Sequence, residues 1–273
     1  MTTTRRRVTP KRRPKIFDKY SLYQRAVQSA DTDVVFIRRV YKELRGKDPV
    51  ILREDFCGTF GLSCEWIKLN PKFQAIGIDL DPEPLEYGRL HNFSKLSSDQ
   101  QKRLRLQELN VLAPELPHAD VSIAFNFSYF VFKSREFMRR YLHNCYEHLK
   151  KDGVLVVDCF GGSQCYEPNE EFSKMRDFIY YWDQMSFDPV TNYCLFHIHF
   201  KMKGQKKVER VFTYDWRLWS IPELREIMHE VGFKKTHVYW EGTTRKGEGD
   251  GKFTRTEKGE SCASWIAYIA AEK

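Results

Sequence analysis

The sequence lacks most of what would mark a secreted, membrane-spanning or disulfide-built protein. Its seven cysteines are an odd number with no C-x-x-C pair, which argues against a disulfide framework and a zinc ribbon and fits a reducing cytoplasm. No apolar run approaches the roughly 18 to 20 residues of a membrane span. The N-terminus, MTTTRRRVTPKRRPK, has no apolar signal stretch, so a cytoplasmic protein without a membrane partner is expected. That same stretch has no acidic residue. It carries seven positive charges (Arg5, Arg6, Arg7, Lys11, Arg12, Arg13 and Lys15) of a net +8, leaving the body close to neutral. Residues 1–15 therefore read as a disordered basic tail, either a solubilising end or an arm for nucleic acid, and not as part of a basic binding face. A complete G-x-G-x-x-G is also missing, because Phe56 and Cys57 stand where its leading glycine would fall.

What the chain does have is alternation. Helical spacing through Val34, Ile37, Val40, Tyr41 and Leu44 stops at Gly46 and leads into the apolar run PVILRED. Then FGLSCEWIKLN reads as helix, FQAIGIDLD as strand, PEPLEYGRLHNFSKL as helix, and RLRLQELN and VSIAFNF as strands. SREFMRRYLHNCYEHLKKDG reads as helix and GVLVVDCF as strand. This pattern predicts an α/β, doubly wound, mostly parallel sheet. Past Gly161 and Gly162 the texture turns to aromatic-rich segments, RDFIYYWDQMSF, NYCLFHIHFKMK and KVERVFTYDW, predicting an antiparallel β insertion after the fifth strand. A helix restarts at Ser220 with Glu223 in capping-box spacing. A strand KKTHVYWE, a Gly- and Lys-rich loop from 242 to 260 and a last strand SWIAYIAA complete the chain. The expected organisation is the tail, a main domain of 16–160 and 217–273, and a substrate lid of 161–216.

In open α/β sheets ligands bind at the carboxyl ends of the strands, where the order reverses. VILREDFCGTFG ends a strand at such a place, with Gly58 and Gly61 permitting close backbone approach and Glu54 and Asp55 beside them. Two acids would repel the pyrophosphate of a dinucleotide but welcome a cation. S-adenosylmethionine offers a sulfonium and an ammonium for one carboxylate and a ribose for a second. Asp79, which ends the next strand, fills that second place.

With these residues the chain resembles the class I S-adenosylmethionine-dependent methyltransferases over most of 31–271. ILREDFCGTFG resembles their first motif, with Phe56 and Phe60 in place of two glycines, and GIDLDPEPLEYGR resembles the second. The resemblance implies a Rossmann-like sheet of seven strands, the last antiparallel beside the fifth, and S-adenosyl-L-methionine as the cofactor. It implies a carboxylate at Glu54 or Asp55 for the charged end, with Phe56 and Gly58 in the same turn. Asp79 would bind the ribose and Leu80 pack on the adenine, with Asn110 and Val111 near the adenine amine and Asn126 at the exit of the fourth strand. Arg25, ahead of the first helix, would face the cofactor carboxylate.

For the acceptor, NFSY (residues 126–129) partly resembles the exit loop of enzymes that methylate amino groups, which makes Tyr129 a candidate beside a plain packing role. Tyr166, Tyr214, Trp216, Arg217 and Trp240 are candidate substrate contacts and Asp215 a weak catalytic candidate, against the alternative that the rings fill the insertion's own core. His197 and His199 share a strand face with no third ligand evident, so no metal is expected. The expected reaction is methyl transfer to a small polar or amine-bearing molecule. The alternatives are a nucleic-acid or protein methyltransferase using the tail, and a non-catalytic binder of an adenosyl ligand.

Overall fold

A computed structural model describes residues 17–244 and 249–273; the basic tail lies outside the described residues. The elements in chain order are α1 (Lys19–Val27), α2 (Ala30–Arg45), β1 (Ile51–Asp55), α3 (Gly61–Leu69), β2 (Gln74–Asp79), α4 (Pro82–His91), α5 (Ser98–Lys102), β3 (Leu104–Glu108), β4 (Ala119–Ala124), α6 (Arg135–Glu147) and β5 (Leu149–Gly161). The insertion follows as β6 (Asn169–Lys174), β7 (Phe178–Asp188), β8 (Tyr193–Met202) and β9 (Lys207–Arg217). The chain then returns through α7 (Ile221–Glu230), β10 (Lys235–Thr243), β11 (Gly249–Thr256) and β12 (Trp265–Glu272).

The main sheet has the order β11-β10-β12-β5-β4-β1-β2-β3. The first five strands are parallel and β12 lies antiparallel between β5 and β10. Eight strands replace the expected seven because part of the segment read as a loop, 249–256, pairs antiparallel with β10. Its Gly and Lys content hid the strand, as befits an exposed edge where charge blocks further pairing. A second boundary also moves. LKKDG belongs to β5, since α6 ends at Glu147 and β5 starts at Leu149.

Local chemistry accounts for the helix boundaries that position the strand ends. Gly46 closes α2 in the left-handed region at φ 68°, and Asp81 caps α4 ahead of Pro82. Ser220 and Glu223 form a complete capping box on α7. One apolar core, with Met138, Leu142, Leu224 and Ile227, fills one face of the sheet; the other, with Val34, Ile37, Trp66 and Ile67, fills the opposite face. β6 to β9 form their own antiparallel sheet, one more strand than the sequence suggested, and a third core joins it to α1 through Leu22, Phe178, Ile198 and Phe200. α1 also grips the main domain: Tyr87 Oη donates to Asp18 at 2.8 Å and Gln24 Nε2 to Thr59 Oγ1 at 2.7 Å. The helix thus ties the insertion to the first turn of the sheet. Among the described residues no helix is long and apolar enough to cross a membrane.

Candidate active site

β1, β2 and β3 run away from the sheet centre on one side and β4 and β5 on the other, so the order reverses between β1 and β4. The carboxyl ends of all five strands open into three adjoining hollows. A cleft of about 670 Å³ lies over β2 and β3, lined by Phe56, Asp79, Leu80, Asn110 and Val111, with Tyr214 to Trp216 across from them. A cavity of about 550 Å³ lies between β4, β5 and the inserted sheet. A slot of about 20 Å³ at the reversal point is lined by Asp33, Glu54, Phe56 and Asn126. Phe56 is common to cleft and slot, and Asp33, Phe125 and Asn126 to slot and cavity. Tyr214 and Trp216, stacked with centroids 4.5 Å apart, form the wall between cleft and cavity.

The two acids of the first turn have different fates. Asp55 is fully buried, its oxygens bound to Arg53 Nε at 2.9 Å and NH2 at 3.2 Å, and Tyr141 Oη donates to it at 3.1 Å. Asp55 borders the same slot as Glu54, but those partners engage both its oxygens in the interior. Glu54 faces the slot, where both the amide and the hydroxyl of Ser63 at the start of α3 donate to one carboxylate oxygen. Burial pushes its carboxyl up to about 7 against those two donors.

The glycine positions of the turn are occupied by aromatic residues in the conformation glycine would supply. Phe56 has φ 57° and Phe60 φ 45°, and Gly58 between them has φ 51°. Left-handed backbone in a bulky residue costs on the order of 1 kcal/mol or more and is held only by strong surroundings. For Phe60 the surroundings include Gly88 on α4, where an added Cβ would lie 2.4 Å from the phenyl ring. Phe56 packs against Phe132 and Tyr141. Gly58 donates its N–H to Asp79 Oδ2 at 2.6 Å, while Asp81 N–H reaches Asp79 Oδ1 at 2.9 Å. Each Asp79 oxygen keeps acceptor capacity for a further hydroxyl at the cleft. Burial raises its pKa, and its backbone donors partly offset that rise.

The donor set tests whether an adenosyl group fits. A Cβ on Gly58 would meet no protein atom within 4 Å, so backbone there is open to close approach. Asp79 supplies paired acceptors, Leu80 is 65% exposed at the rim as an apolar surface, and Glu54 supplies an acid at the slot. These features suit a ribose, an adenine face and a cationic end, and the residues fit the group. Asn110 borders the cleft beside Val111, and its side-chain oxygen accepts the Leu112 N–H at 2.8 Å, which also shapes the turn there.

Several sequence candidates stand elsewhere. Arg25 pairs with Asp177 of the inserted sheet and lies over the Phe178 ring, lining none of the three hollows; it ties α1 to the insertion. Tyr129 is fully buried and donates to the Asp158 carbonyl at 2.6 Å, lining none of the three hollows. Tyr166 borders a different hollow and meets Phe187 edge-on. Arg217 pairs with Glu223 at 3.1 Å over the Trp219 ring. Trp240 packs against Trp265. Asp215 does reach the cleft, held by Lys133. His199 meets Asp183 at 3.1 Å, with Glu170 at 3.9 Å, a grouping of metal-ligand type. The Arg210 N–H donates to His199 Nδ1 at 2.8 Å, so in the neutral ring the hydrogen sits on Nε2 and faces Asp183. Lys207 already pairs with Glu170. The grouping is a hydrogen-bonded ion network.

The acids that sequence reasoning missed are in the cavity, beside the sequence candidates Tyr214 and Trp216. Tyr23, Tyr180, Trp182, Tyr214 and Trp216 present rings, and Asp33, Asp158 and Glu171 are its acids; among the described residues no Lys, Arg or His is in its lining. Asp158 lies three residues before the end of β5 and accepts the N–H groups of Asn126 at 2.6 Å and Phe127 at 2.9 Å, both residues having φ 57°. Burial pushes its carboxyl up to about 8, and the two amides pull it back. GVLVVDCF carries the same signal, an acid closing an apolar run, that singled out Glu54 and Asp79. Burial also lifts Asp33 to about 6, with Asp31 adding to the rise.

Residues 55–157 match the family model described as a methyltransferase domain. No curated protein sequence matches the chain. Among solved structures the chain is similar to an S-adenosylmethionine-dependent methyltransferase from Clostridium acetobutylicum, at TM-score 0.64 and 16% identity, covering 93% of this chain and 96% of that one. It is similar to an amino pentose methyltransferase from Micromonospora echinaspora at TM-score 0.64 and 13% identity, covering 96% and 100%. A sugar N-methyltransferase from Streptoalloteichus sp. gives TM-score 0.61 and 14% identity, covering 100% and 98%. The family match spans the first turn to β5, the stretch whose strand ends build the cleft and the slot, and the similar solved structures share the fold of the whole chain.

Proposed function

We propose that this enzyme methylates an amine nitrogen on a small acceptor held in the cavity between β4, β5 and the inserted sheet. The observation that carries the reading is the cavity's lining: ring faces, three carboxylates and, among the described residues, no cationic side chain. Ring faces attract ammonium groups, and carboxylates accept their N–H bonds. An acceptor rich in phosphate or carboxylate would find no partner among those side chains. The similar structures include enzymes described as acting on an amino pentose and on a sugar nitrogen, which supports a polar, amine-bearing acceptor. Asp79, Glu54 and Leu80 would hold the cofactor in the cleft and slot, Glu54 and not Asp55 serving its charged end. When bound, S-adenosylmethionine supplies an electrophilic methyl group. The chain's own contribution is alignment, since orientation can supply much of the rate of such a displacement. Asn126 and Phe127, fixed by Asp158, shape the passage between donor and acceptor. The seven free cysteines, six of them buried, support a reducing, cytoplasmic setting.

The test is incubation of the full chain with methyl-labelled S-adenosylmethionine and a metabolite extract fractionated by charge, followed by mass spectrometry. Label is expected on nitrogen in the cationic fraction. Label confined to carboxylates, hydroxyls or nucleic acid would sink the reading.

A further inference from the structure

The cavity holds three carboxylates, but they are not equivalent. Asp158 has one oxygen on the Asn126 N–H and the other on the Phe127 N–H, so it is a positioning residue for two backbone-strained neighbours. Glu171 comes from β6 of the inserted sheet, is exposed, and borders the cavity without touching the slot. Asp33, in the first turn of α2, is half-buried and borders both the slot and the cavity, in company with Phe125 and Asn126. The slot also contains Glu54, so Asp33 stands where the cofactor end and the acceptor end meet. An acceptor ammonium has no free electron pair, and something within reach must remove a proton before nitrogen can attack.

We propose that Asp33 is the catalytic carboxylate that pairs with the acceptor's ammonium and takes its proton. This rests on the amine reading of the cavity. The N–H bond breaks, the proton passes to an Asp33 oxygen, and the pair left on nitrogen forms the new N–C bond as the C–S bond yields its pair to sulfur. Partial exposure of Asp33 gives that proton a route to solvent. The ionisable groups around it are Asp31 on its own helix, Glu54 from β1, Asp158 from β5 and Tyr268 from β12, with Tyr23 from α1, Glu171 from β6, Tyr180 from β7 and Tyr214 from β9 across the cavity. Among the described residues none is cationic, and burial and the nearby Asp31 raise its pKa to about 6. An ammonium entering such a site replaces a proton.

Two probes test this without turnover: cyclohexylamine and its uncharged counterpart cyclohexanol, titrated by calorimetry into the intact protein in buffers of different ionisation enthalpy. The wild type is expected to prefer the amine, to release a proton on binding near pH 6, and to lose amine affinity as pH falls below 6. Asp33→Asn should weaken amine binding about 10-fold at pH 8, the scale of a lost charged hydrogen bond. It should also remove the part of the proton release that belongs to Asp33, and Asp33→Glu should restore part of both. An Asp33→Asn protein with wild-type affinity and wild-type proton release overturns the assignment while leaving the amine reading intact. Equal binding of the two probes by the wild type overturns the amine reading and the assignment with it. For methyl transfer, kcat/KM of Asp33→Asn should climb tenfold per pH unit up to the amine's own pKa. A variant profile flat above pH 7 would overturn the proton-transfer role.

Discussion

The cleft and the cavity meet at one wall of two stacked rings, Tyr214 and Trp216, yet they are made differently. The cleft and the adjoining slot are built mainly from strand ends of one sheet, where backbone amides orient the polar groups: Gly58 and Asp81 aim at Asp79 in the cleft, and the start of α3 aims at Glu54 in the slot. The cavity is assembled from α1, α2, β4, β5, the inserted sheet and the β11–β12 region, and its character comes from side-chain rings and acids. A backbone-built half recognises one fixed ligand. A half made of side chains from separate segments can be refitted to another acceptor without disturbing the sheet.

The largest effect that would sharpen this contrast is at Asp79. Asp79→Ala should weaken S-adenosylhomocysteine binding about 100-fold, the order expected for two lost hydrogen bonds to a charged acceptor, with cavity probes binding as before. Calorimetry on the folded variant checks it; unchanged affinity would end the ribose assignment.

The next effect concerns Glu54 and has a definite sign. Its folded-state pKa of about 7 lies above the ordinary value of 4.5, so the folded chain holds a proton that the unfolded chain has released between those two values. Stability is therefore greatest below pH 4.5 as far as this group is concerned and is lost as pH rises through 7. Glu54→Gln should raise stability by about 2 kcal/mol at pH 8 and by little at pH 4.5, while weakening cofactor binding. Denaturant melts at the two pH values measure it. A Gln variant less stable than wild type at pH 8 would show that the Ser63 bonds outweigh burial.

A smaller change separates the halves from the other side. Trp182→Ala removes a cavity ring and should raise the acceptor KM about 10-fold, the scale of a desolvated cation–π contact, with S-adenosylhomocysteine affinity within about twofold of wild type. A shared loss of both affinities would mean that the wall transmits the change.

The smallest effect is expected at Arg25. Its pairing with Asp177 is partly exposed, so Arg25→Ala should cost no more than about 1 kcal/mol in a melt. Cofactor affinity should be unchanged; a large loss would return Arg25 to the cofactor site.

The same contrast explains what could be read in advance. Glu54 and Asp79 close apolar runs, so periodicity places them at strand ends and the sheet rule places those ends together, whereas Leu80 and Val111 rest on the family resemblance. Asp158 obeys the same rule and could have been found by it. Asp33 could not, because an acid in the first turn of a helix is explained by the helix dipole alone. Arg217 and Trp240 were misjudged for a related reason: density of large and charged residues marks packing and ion pairing as often as a binding surface. β11 was hidden by composition, since a charged edge strand looks locally like a loop.

The contact between Phe60 and Gly88 has a consequence for how this chain can vary. Exchanging Phe60 for glycine would relieve the backbone and leave a hole; adding a methyl at Gly88 would drive Cβ into the phenyl ring and into the Thr59 carbonyl, 2.5 Å away. Each position therefore sets which residue is permitted at the other, and single steps toward a glycine-rich turn pass through a less stable protein. A search template that demands glycine at position 60 would pass over chains of this kind. One that asks for an aromatic there together with glycine twenty-eight residues later would select them.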